Sequence, residues 1–293
     1  MLGERYRLGD PLGKGAMGSV HAALDTRSGR AVAIKMILPE LAEDGVHLER
    51  FRREALAAST LQHPGIVEVI EACDEPPYLV MELVKGEHMP AGPMPVRRAV
   101  SIAMRLLDAL TVAHAAGIVH RDLKPSNVML EGEQPKILDF GIAKLTRSEA
   151  WQRLTRSGEL MGTPAYAAPE QMRGRDVDER ADLYAVGGLL YRMLTGKTPP
   201  RVPLASRLRG SFPPPPDARD LVPELSRDLS DALRSAMNAE PDMRPASAAE
   251  MRARLAPHAA APRAGAGPRR WWLLGAAALI AGGVAAFGWW ALG

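Results

Sequence analysis

The chain has 293 residues, of which 46% are apolar and 24% are charged, and its formal net charge is +3. This length and apolar content are enough for one large domain or two small ones. The arginines are scattered and aromatic residues make up only 5%, so the composition argues against a nucleic-acid partner. Cys73 is the single cysteine and cannot form an internal disulfide, which fits a reducing compartment. The N-terminal residues carry charges and no apolar run, so we expect no signal peptide.

The N-terminal part, from residue 5 to about residue 84, has the pattern of short strands around one helix. Four segments alternate apolar and polar residues or are continuously apolar, as strands do: YRLGDPLG, SVHAALD, AVAIKMIL and PYLVMELV. Before the last of these, LERFRREALAASTL combines good helix formers with apolar residues at Phe51, Ala55 and Ala58, which predicts a helix.

From residue 96 the apolar residues recur with the helical period. Residues 96–117 place Val100, Ala103 and Leu110 on one face, and residues 181–196 are apolar nearly all round, which predicts a buried helix. Two further amphipathic helices are predicted at residues 229–240 and 247–255. We therefore expect an α+β fold, with a β-rich part followed by an α-rich part that ends near residue 255.

The C-terminal residues have the composition of a linker followed by a membrane span. Residues 256–270 are rich in alanine, proline and glycine, which indicates a linker. Residues 271–290 carry no charge and have tryptophan pairs at both ends, and a helix of this length would cover roughly 30 Å, the thickness of the bilayer's hydrocarbon core. The alternative, a buried helix of the globular domain, is disfavoured because the linker separates this segment from the rest.

The charges around residues 271–290 predict its orientation. Arg263, Arg269 and Arg270 precede the span and no charge follows it, so the positive-inside rule places the preceding domain on the cytoplasmic side of the cell membrane. Small residues recur at roughly four-residue spacing within the span, which would permit close helix pairing and a homodimer.

A glycine-rich turn joins the first two predicted strands. Gly13, Gly15 and Gly18 have the G-x-G-x-x-G spacing, but such turns are common, and an ordinary structural turn is about equally plausible. The dinucleotide-binding version needs a helix directly after the glycines, whereas SVHAALD predicts a strand. The turn is therefore expected to be a flap whose backbone amides can cover phosphates.

Other polar residues lie where predicted strands and loops end. Lys35 ends an apolar strand, where a lysine usually reaches solvent, and Glu54 on the next helix is either its partner or a solvated charge. VHRDLKPSNVML, residues 119–130, is too polar for a core strand and too irregular for a helix face, which predicts an ordered loop. Gly196-Lys197-Thr198 resembles the end of a phosphate-binding loop, but the first glycine of that motif is missing. Two prolines follow and prevent the helix that the motif needs, so we reject it.

The motifs together are far more specific than any one of them. The glycine-rich turn, VAIK, HRDLKPSN, DFG and APE occur in this order at compatible separations, which is the protein-kinase signature. The chain resembles the eukaryotic-like (Hanks-type) serine/threonine protein kinases of bacteria over residues 5–255. The resemblance implies a bilobal protein-kinase fold, with an N-lobe at about 5–84 and a C-lobe at about 85–255.

The resemblance also implies roles for individual residues. Asp122 matches the catalytic-loop aspartate that accepts or orients the substrate hydroxyl proton, and Lys124 matches the lysine that contacts the transferring phosphate, which favours serine and threonine over tyrosine. Lys35 matches the lysine that holds the α- and β-phosphates, with Glu54 as its ion-pair partner. Asn127 and Asp139 match the ligands of Mg²⁺ or Mn²⁺.

The implied cofactor is ATP, with apolar residues around the adenine, Met81 as gatekeeper and Glu82 and Val84 offering hinge backbone to the base. The positions implied to contact the nucleotide are Leu12, Gly13, Lys14, Gly15, Ala16, Met17, Gly18, Ser19, Val20, Ala33, Lys35, Glu82, Val84 and Met129. Three structural positions match as well: Asp182 beneath the catalytic loop, and the Glu170–Arg244 pair that braces the C-lobe. Glu87 is a weaker match for a ribose contact.

The function implied is that of a membrane-anchored kinase that transfers the ATP γ-phosphate to serine and threonine hydroxyls of protein substrates in signal transduction. Thr155, Ser157 and Thr163 are the candidate phosphorylation sites of the activation segment, with Arg121 as a partner for the phosphate. The segment after the hinge, KGEHMPAGPMP, is shorter than usual in the family, so the first C-lobe helix is expected to be reduced. A silent nucleotide-sensing scaffold and a small-molecule kinase are the alternatives, which the intact catalytic residues and the DFG-to-APE segment disfavour.

Overall fold

The computed structural model describes most of the chain up to residue 259. The described residues are 1–15, 18–38, 45, 49, 55–74, 76–140, 165–200, 202–203, 206, 211–213 and 217–259. Glu54, Ala16 and Met17, the phosphorylation candidates Thr155, Ser157 and Thr163, and the predicted span 271–290 lie outside them.

The N-terminal part forms a five-stranded antiparallel sheet in the order β1-β2-β3-β5-β4. The strands are β1 (Tyr6–Gly15), β2 (Gly18–Asp25), β3 (Ala31–Ile37), β4 (Val69–Asp74) and β5 (Pro77–Glu82). Side chains alternate between the two faces of a strand, so Val32 and Ile34 join one buried cluster while Ala33 joins another. Lys35 falls on the same face as Ala33, which directs it away from the Val32 side.

The C-terminal part is helical and contains the largest hydrophobic core. Its helices are α1 (Val96–Ala115), α2 (Pro169–Arg173), α3 (Arg180–Thr195), α4 (Arg227–Ala236) and α5 (Ala248–Ala259). One face of α1 is fully buried, including Val100, Ala103 and Leu110, as its apolar period predicts. Helix α3 is buried along nearly its whole length, so it forms the centre of this part.

A second, three-stranded sheet connects the two parts. It consists of β6 (Glu87–His88), β7 (Val128–Glu131) and β8 (Gln134–Ile137) in the order β6-β7-β8. Ile137 at the end of β8 donates its N–H to Gly65 O (2.8 Å) and accepts from Val67 N (3.0 Å). These backbone bonds join the residues before β4 to the strand that leads into the DFG motif.

The predicted elements are largely confirmed. The four predicted strands and the helices at 96–117, 181–196, 229–240 and 247–255 are all present, with boundaries shifted by a few residues. Residues 55–59 are helical within the helix predicted at 48–61, and so is Glu49, while the other residues before Ala55 lie outside the described part. Strands β4, β6 and β7 and the short helix α2 were not predicted, and β7 takes up the last residues of the segment 119–130 that was expected to be a loop. Helix α5 extends to Ala259, across the first residues of the segment assigned to a linker.

Two further expectations concern helices. Between β5 and α1 the chain forms only β6, so the expected reduction of the first C-lobe helix is confirmed. In the part of the chain that the structure describes, no helix has the length and apolar character needed to cross a bilayer.

A buried ion pair braces the C-terminal part. The Arg244 guanidinium donates two hydrogen bonds of 2.7 Å each to the carboxylate of Glu170, and both side chains are at least 97% buried. The remaining donors of Arg244 bond backbone carbonyls, including Asn238 O at 2.8 Å and Arg180 O at 3.0 Å. The pairing expected from the sequence is therefore confirmed, and it fixes α2 to the loop before α5.

We expect Arg244→Met to lower the free energy of unfolding by about 3–5 kcal/mol, because the Glu170 carboxylate would stay buried without its partner. Urea titration followed by circular dichroism measures this. The matched control is Arg254→Met, which breaks the exposed pair with Glu250 and should cost about 1 kcal/mol or less. Equal losses for the two variants would contradict the bracing role.

Candidate active site

The glycine-rich segment lies where β1 and β2 meet in a hairpin of the N-terminal sheet. Strands β1 and β2 pair Gly13 with Val20 and Gly15 with Gly18, so the predicted strand–turn–strand arrangement is confirmed and no helix follows the glycines. Gly18 has φ +156°, and a Cβ there would lie 1.8 Å from Met36 O on β3, so packing within the sheet requires this glycine. A Cβ at Gly13 would meet nothing within 4 Å among the described atoms, so the protein's own packing does not require that one.

An apolar cluster lies on the face of the N-terminal sheet that carries Ala33. Ala33 and Met81 are buried in it, and Val20, Val84 and Leu138 pack against them. The cluster therefore joins strands of the N-terminal sheet to the residue that precedes the DFG motif. Of the other positions predicted to contact a nucleotide, Met129 is half-buried on β7, and Leu12 on β1 is 53% exposed.

Lys35 reaches from β3 to the DFG aspartate. Its ammonium lies 2.8 Å from Asp139 Oδ1, and the Lys35 side chain is 10% exposed. Asp139 has φ +57°, a conformation that costs free energy in a non-glycine residue and is common at functional sites. Phe140, the next residue, is buried, and its ring packs edge-on against the His120 ring with the two ring centroids 5.0 Å apart. This packing helps to keep Asp139 turned toward Lys35.

A buried carboxylate holds the catalytic loop from beneath. Asp182, in the first turn of α3, is 1% exposed and accepts from the backbone N–H groups of His120 (2.9 Å) and Arg121 (2.8 Å). It also lies 2.9 Å from His114 Nε2. These hydrogen bonds replace those with water that the carboxylate loses when it is buried. The expected position of Asp182 beneath the loop is confirmed.

The ring of His120 ties the loop to the segment before DFG. His120 is fully buried, with Nε2 2.8 Å from Leu138 O and Nδ1 3.2 Å from Asp122 N. The Leu138 carbonyl needs a donor and the Asp122 N–H needs an acceptor, and the tautomer with its proton on Nε2 satisfies both. One histidine thereby fixes both the backbone of Asp122 and the strand that leads to Asp139.

Asp122 lies among the polar side chains that follow it. Lys124 Nζ is 2.8 Å from Asp122 Oδ2. Asn127 Nδ2 donates to Asp122 O at 2.7 Å and lies 3.4 Å from its Oδ2. The residues Pro125–Asn127 form one turn of 3-10 helix, which brings Asn127 back over Asp122. Since Nδ2 is the donating atom, Asn127 Oδ1 remains the oxygen that can ligate a cation.

The donor set fits a magnesium ion held jointly with a nucleotide. In the described residues no three His, Cys, Asp or Glu side chains gather into a metal site. Asn127 and Asp139 instead supply one amide and one carboxylate oxygen donor, which are hard ligands. Mg²⁺ in proteins is commonly held by one or two such groups together with phosphate oxygens and water.

The strand-to-loop connection after β5 is fixed by a second ion pair. Glu82 Oε1 lies 2.6 Å from Lys136 Nζ on β8, and the Glu82 N–H donates to Glu68 O at 3.0 Å. The N–H of Glu82 is therefore engaged within the protein, and its expected contact with a base concerns the carbonyl oxygen. Glu87, on β6, is exposed.

Several residues of the site did not emerge from the sequence. His120 is the first residue of HRDLKPSN and Leu138 directly precedes DFG, and these positions were the available signal. Lys136 and Gln171 gave no signal, because a single charged or amide residue is ordinary on a strand end or a short helix. Glu54, the predicted partner of Lys35, lies outside the described residues, as do Ala16 and Met17.

Comparison with known proteins found a protein kinase domain and similar kinases from bacteria. A model of the protein kinase domain matches residues 6–254. The serine/threonine-protein kinase PknB of Mycobacterium tuberculosis is 40% identical over 270 residues, covering 87% of this chain and 43% of that protein. PknB of Mycolicibacterium smegmatis is 40% identical over 272 residues, again with 87% and 43% covered. The chain thus spans about two fifths of the length of these curated relatives.

A solved structure has a similar fold. The crystal structure of the Mycobacterium tuberculosis PknI kinase domain superposes with a TM-score of 0.67 at 29% identity. The similarity covers 86% of this chain and 95% of that one.

Proposed function

Since the chain belongs to the protein kinase family, as one of its bacterial Hanks-type serine/threonine members, we propose that it transfers the γ-phosphate of ATP to serine and threonine hydroxyls of protein substrates. The observation that carries the proposal is the constellation at the catalytic loop. Asp122 is in contact with Lys124 and Asn127, while Asp139 is turned toward Lys35. These groups supply what phosphoryl transfer requires, which is positioning and neutralisation of charge.

The nucleotide is proposed to lie between the glycine hairpin and the apolar cluster. Val20, Ala33 and Met129 would contact the adenine, with Met81 behind it and the backbone of Glu82 and Val84 at its edge. Gly13 and Gly15 let the hairpin backbone approach the phosphates without a Cβ in the way. Lys35 supports this placement, because its side chain is nearly buried and its ammonium could hold the α- and β-phosphates of one ATP molecule.

The divalent cation, Mg²⁺ or Mn²⁺, would be held by Asn127 Oδ1 and the Asp139 carboxylate together with phosphate oxygens. Bound there, it would neutralise charge on the β- and γ-phosphates. Before the nucleotide binds, Asp139 shares its carboxylate with Lys35 at 2.8 Å. The same two residues would then face the phosphates from opposite sides.

Asp122 is proposed to act on the acceptor hydroxyl. The hydroxyl oxygen forms a bond to the γ-phosphorus as the bond between that phosphorus and its bridging oxygen to the β-phosphate breaks. The hydroxyl proton is oriented toward, and accepted by, the Asp122 carboxylate. Lys124, at 2.8 Å from that carboxylate, would place its positive charge beside the transferring phosphoryl group, which carries negative charge through the transition state.

We expect Asp122→Asn to lower the rate of phosphate transfer at least 100-fold while ATP binding is largely kept, because a positioned proton acceptor contributes about 10²–10⁴-fold. Lys35→Met should instead raise the ATP concentration needed for half-maximal rate. Radiolabelled transfer to casein and nucleotide titration measure the two effects. Asp108→Asn, at an exposed pair with Arg252, is the matched control. Turnover of Asp122→Asn within about tenfold of the wild type, or ~1.4 kcal/mol of barrier, would contradict the assignment.

We further propose that the kinase is activated by autophosphorylation within its activation segment. Thr155 and Ser157 are the favoured sites, while Thr163 would lie near Asp122 and help to place the substrate. A phosphate carries about −1.5 to −2 charges at neutral pH and can order a segment by pairing with arginine, and Arg121 precedes Asp122 in the loop.

Incubation of the full chain with ATP and Mg²⁺ should add phosphate at Thr155 or Ser157. Mass spectrometry of the tryptic peptides gives the position, and Asp122→Asn treated in the same way shows which phosphates depend on the chain's own activity. Detection of no phosphate between residues 145 and 165 would contradict this proposal.

The membrane anchor is likewise a proposal, which rests on the sequence of residues 271–290. Its length, its terminal tryptophan pairs and the preceding arginines support a single-pass helix with the kinase domain in the cytoplasm. Small residues within the span support pairing of two copies in the bilayer.

The full chain should stay with membranes during carbonate extraction, because roughly 30 Å of apolar helix would have to enter water to release it. A version that ends at Pro268 should be soluble and should keep its kinase activity. Immunoblotting of the two fractions measures both. Recovery of the full chain in the soluble fraction without detergent would exclude the anchor.

A further inference from the structure

The short helix α2 carries a side chain that contacts the catalytic loop. The amide of Gln171 accepts a hydrogen bond from Ala168 N through Oε1 (2.9 Å) and donates one to Arg121 O through Nε2 (2.7 Å). Ala168 is the residue before α2 and is fully buried. Because its oxygen is taken by Ala168, the amide can present only its N–H group to the loop.

The residue it contacts has an unusual backbone. Arg121 has φ +65°, a conformation that a non-glycine residue keeps only when its surroundings hold it there. Asp182 Oδ1 accepts from the Arg121 N–H at 2.8 Å, and Gln171 donates to the Arg121 carbonyl at 2.7 Å. Asp182 therefore holds the N–H of the peptide group before Arg121, and Gln171 holds the carbonyl of the peptide group after it.

The position of the Arg121 carbonyl decides where Asp122 points. That carbonyl belongs to the peptide group that ends in the Asp122 nitrogen, and the same nitrogen donates to His120 Nδ1 at 3.2 Å. A rotation of this peptide would move the Asp122 carboxylate away from Lys124 and Asn127. Gln171, from outside the loop, donates to this carbonyl.

Gln171 also has a rigid base. It follows Glu170, whose carboxylate is locked to Arg244 by two buried hydrogen bonds of 2.7 Å. Helix α2 begins at Pro169, so the segment that runs from Asp139 to Glu170 ends in its first turn. A contact from Gln171 therefore connects the end of that segment to the loop that carries Asp122.

We propose that Gln171 is a positioning residue, which holds the left-handed Arg121 peptide so that Asp122 faces the acceptor hydroxyl. The inference rests on the proposed kinase activity and adds to it a residue outside the recognised motifs. Gln171 does not touch the nucleotide or the acceptor in this scheme. Its loss should therefore slow transfer and leave the affinity for ATP unchanged.

Two variants separate the donor from the acceptor of the Gln171 amide. Gln171→Glu keeps an oxygen for Ala168 N but replaces the donor by a carboxylate oxygen that repels Arg121 O. Gln171→Lys keeps a donor that reaches Arg121 O but removes the acceptor for Ala168 N. If Gln171 acted only by capping α2, the lysine variant would be the more damaged of the two.

Initial rates of phosphate transfer to casein are measured with the full chain at saturating ATP, with the phosphorylation state of each variant matched by intact mass. We expect Gln171→Glu to lower kcat at least tenfold with the KM for ATP within twofold. Gln171→Lys should retain kcat within about threefold of the wild type. Gln62→Glu, an exposed position in the N-terminal part, is the charge-matched control and should leave both constants unchanged.

A pH profile adds an independent readout. Lowering the pH from 8 to 6 should raise the kcat of Gln171→Glu relative to the wild type, because the introduced carboxyl faces a carbonyl oxygen, regains a proton and can donate it again. Melting temperatures of the variants show whether a loss of rate follows a loss of stability.

Three results would overturn the proposal: a kcat of Gln171→Glu within twofold of the wild type, a kcat of Gln171→Lys no higher than that of Gln171→Glu, or rates that follow the melting temperatures across the variants. All values are ratios to the wild-type chain. A wild type without any transfer would instead refute the proposed kinase function, so the two failures can be told apart.

Discussion

The Asp182 carboxylate is the constraint on which the rest of the site depends. It lies in the first turn of α3, where the positive end of the helix dipole offsets part of the cost of burying a charge. Two consecutive backbone N–H groups of the catalytic loop and the ring of His114 add hydrogen bonds to the carboxylate. The loop that carries Asp122 is therefore fixed to a helix that is buried along nearly its whole length.

From that point, hydrogen bonds lead outward to the other half of the site. His120, whose backbone is held by Asp182, uses its ring to reach Leu138 O at 2.8 Å. Leu138 is followed by Asp139, which reaches Lys35 on the N-terminal sheet at 2.8 Å. The backbone of Ile137 is bonded to Gly65 and Val67, so the DFG segment is held from both parts of the molecule. Left-handed backbone at Arg121 and Asp139 is the conformational cost of this arrangement, and these two residues flank the proposed reaction centre.

The ion pairs of the molecule differ in what they do. The Glu170–Arg244 pair is inaccessible to water and has all of its hydrogen bonds satisfied, so it acts as a fixed structural joint. The Lys35–Asp139 pair lies at the edge of the proposed nucleotide site, with Asp139 34% exposed, so its charges can be redirected to phosphates and a cation. The Glu82–Lys136 pair joins the end of β5 to β8 across the proposed hinge.

The sequence by itself determined the elements and the chemical groups of the site. The family resemblance carried by VAIK, HRDLKPSN and DFG implied that Lys35, Asp122, Asn127 and Asp139 form a set, and periodicity predicted the helices α1, α3, α4 and α5 and the strands β1, β2, β3 and β5. It did not predict β4, whose segment VIEACD mixes polar residues into an apolar strand, because strand formation there depends on pairing with β5. The resemblance implied that Asp182 lies beneath the catalytic loop, but only the tertiary structure decided the rest of how the set is held, since His120 and Gln171 act through hydrogen bonds with backbone groups. Backbone groups carry no side-chain signature, so contacts to them, such as that of Gln171 with the Arg121 carbonyl 50 residues away, become visible only when the chain is folded.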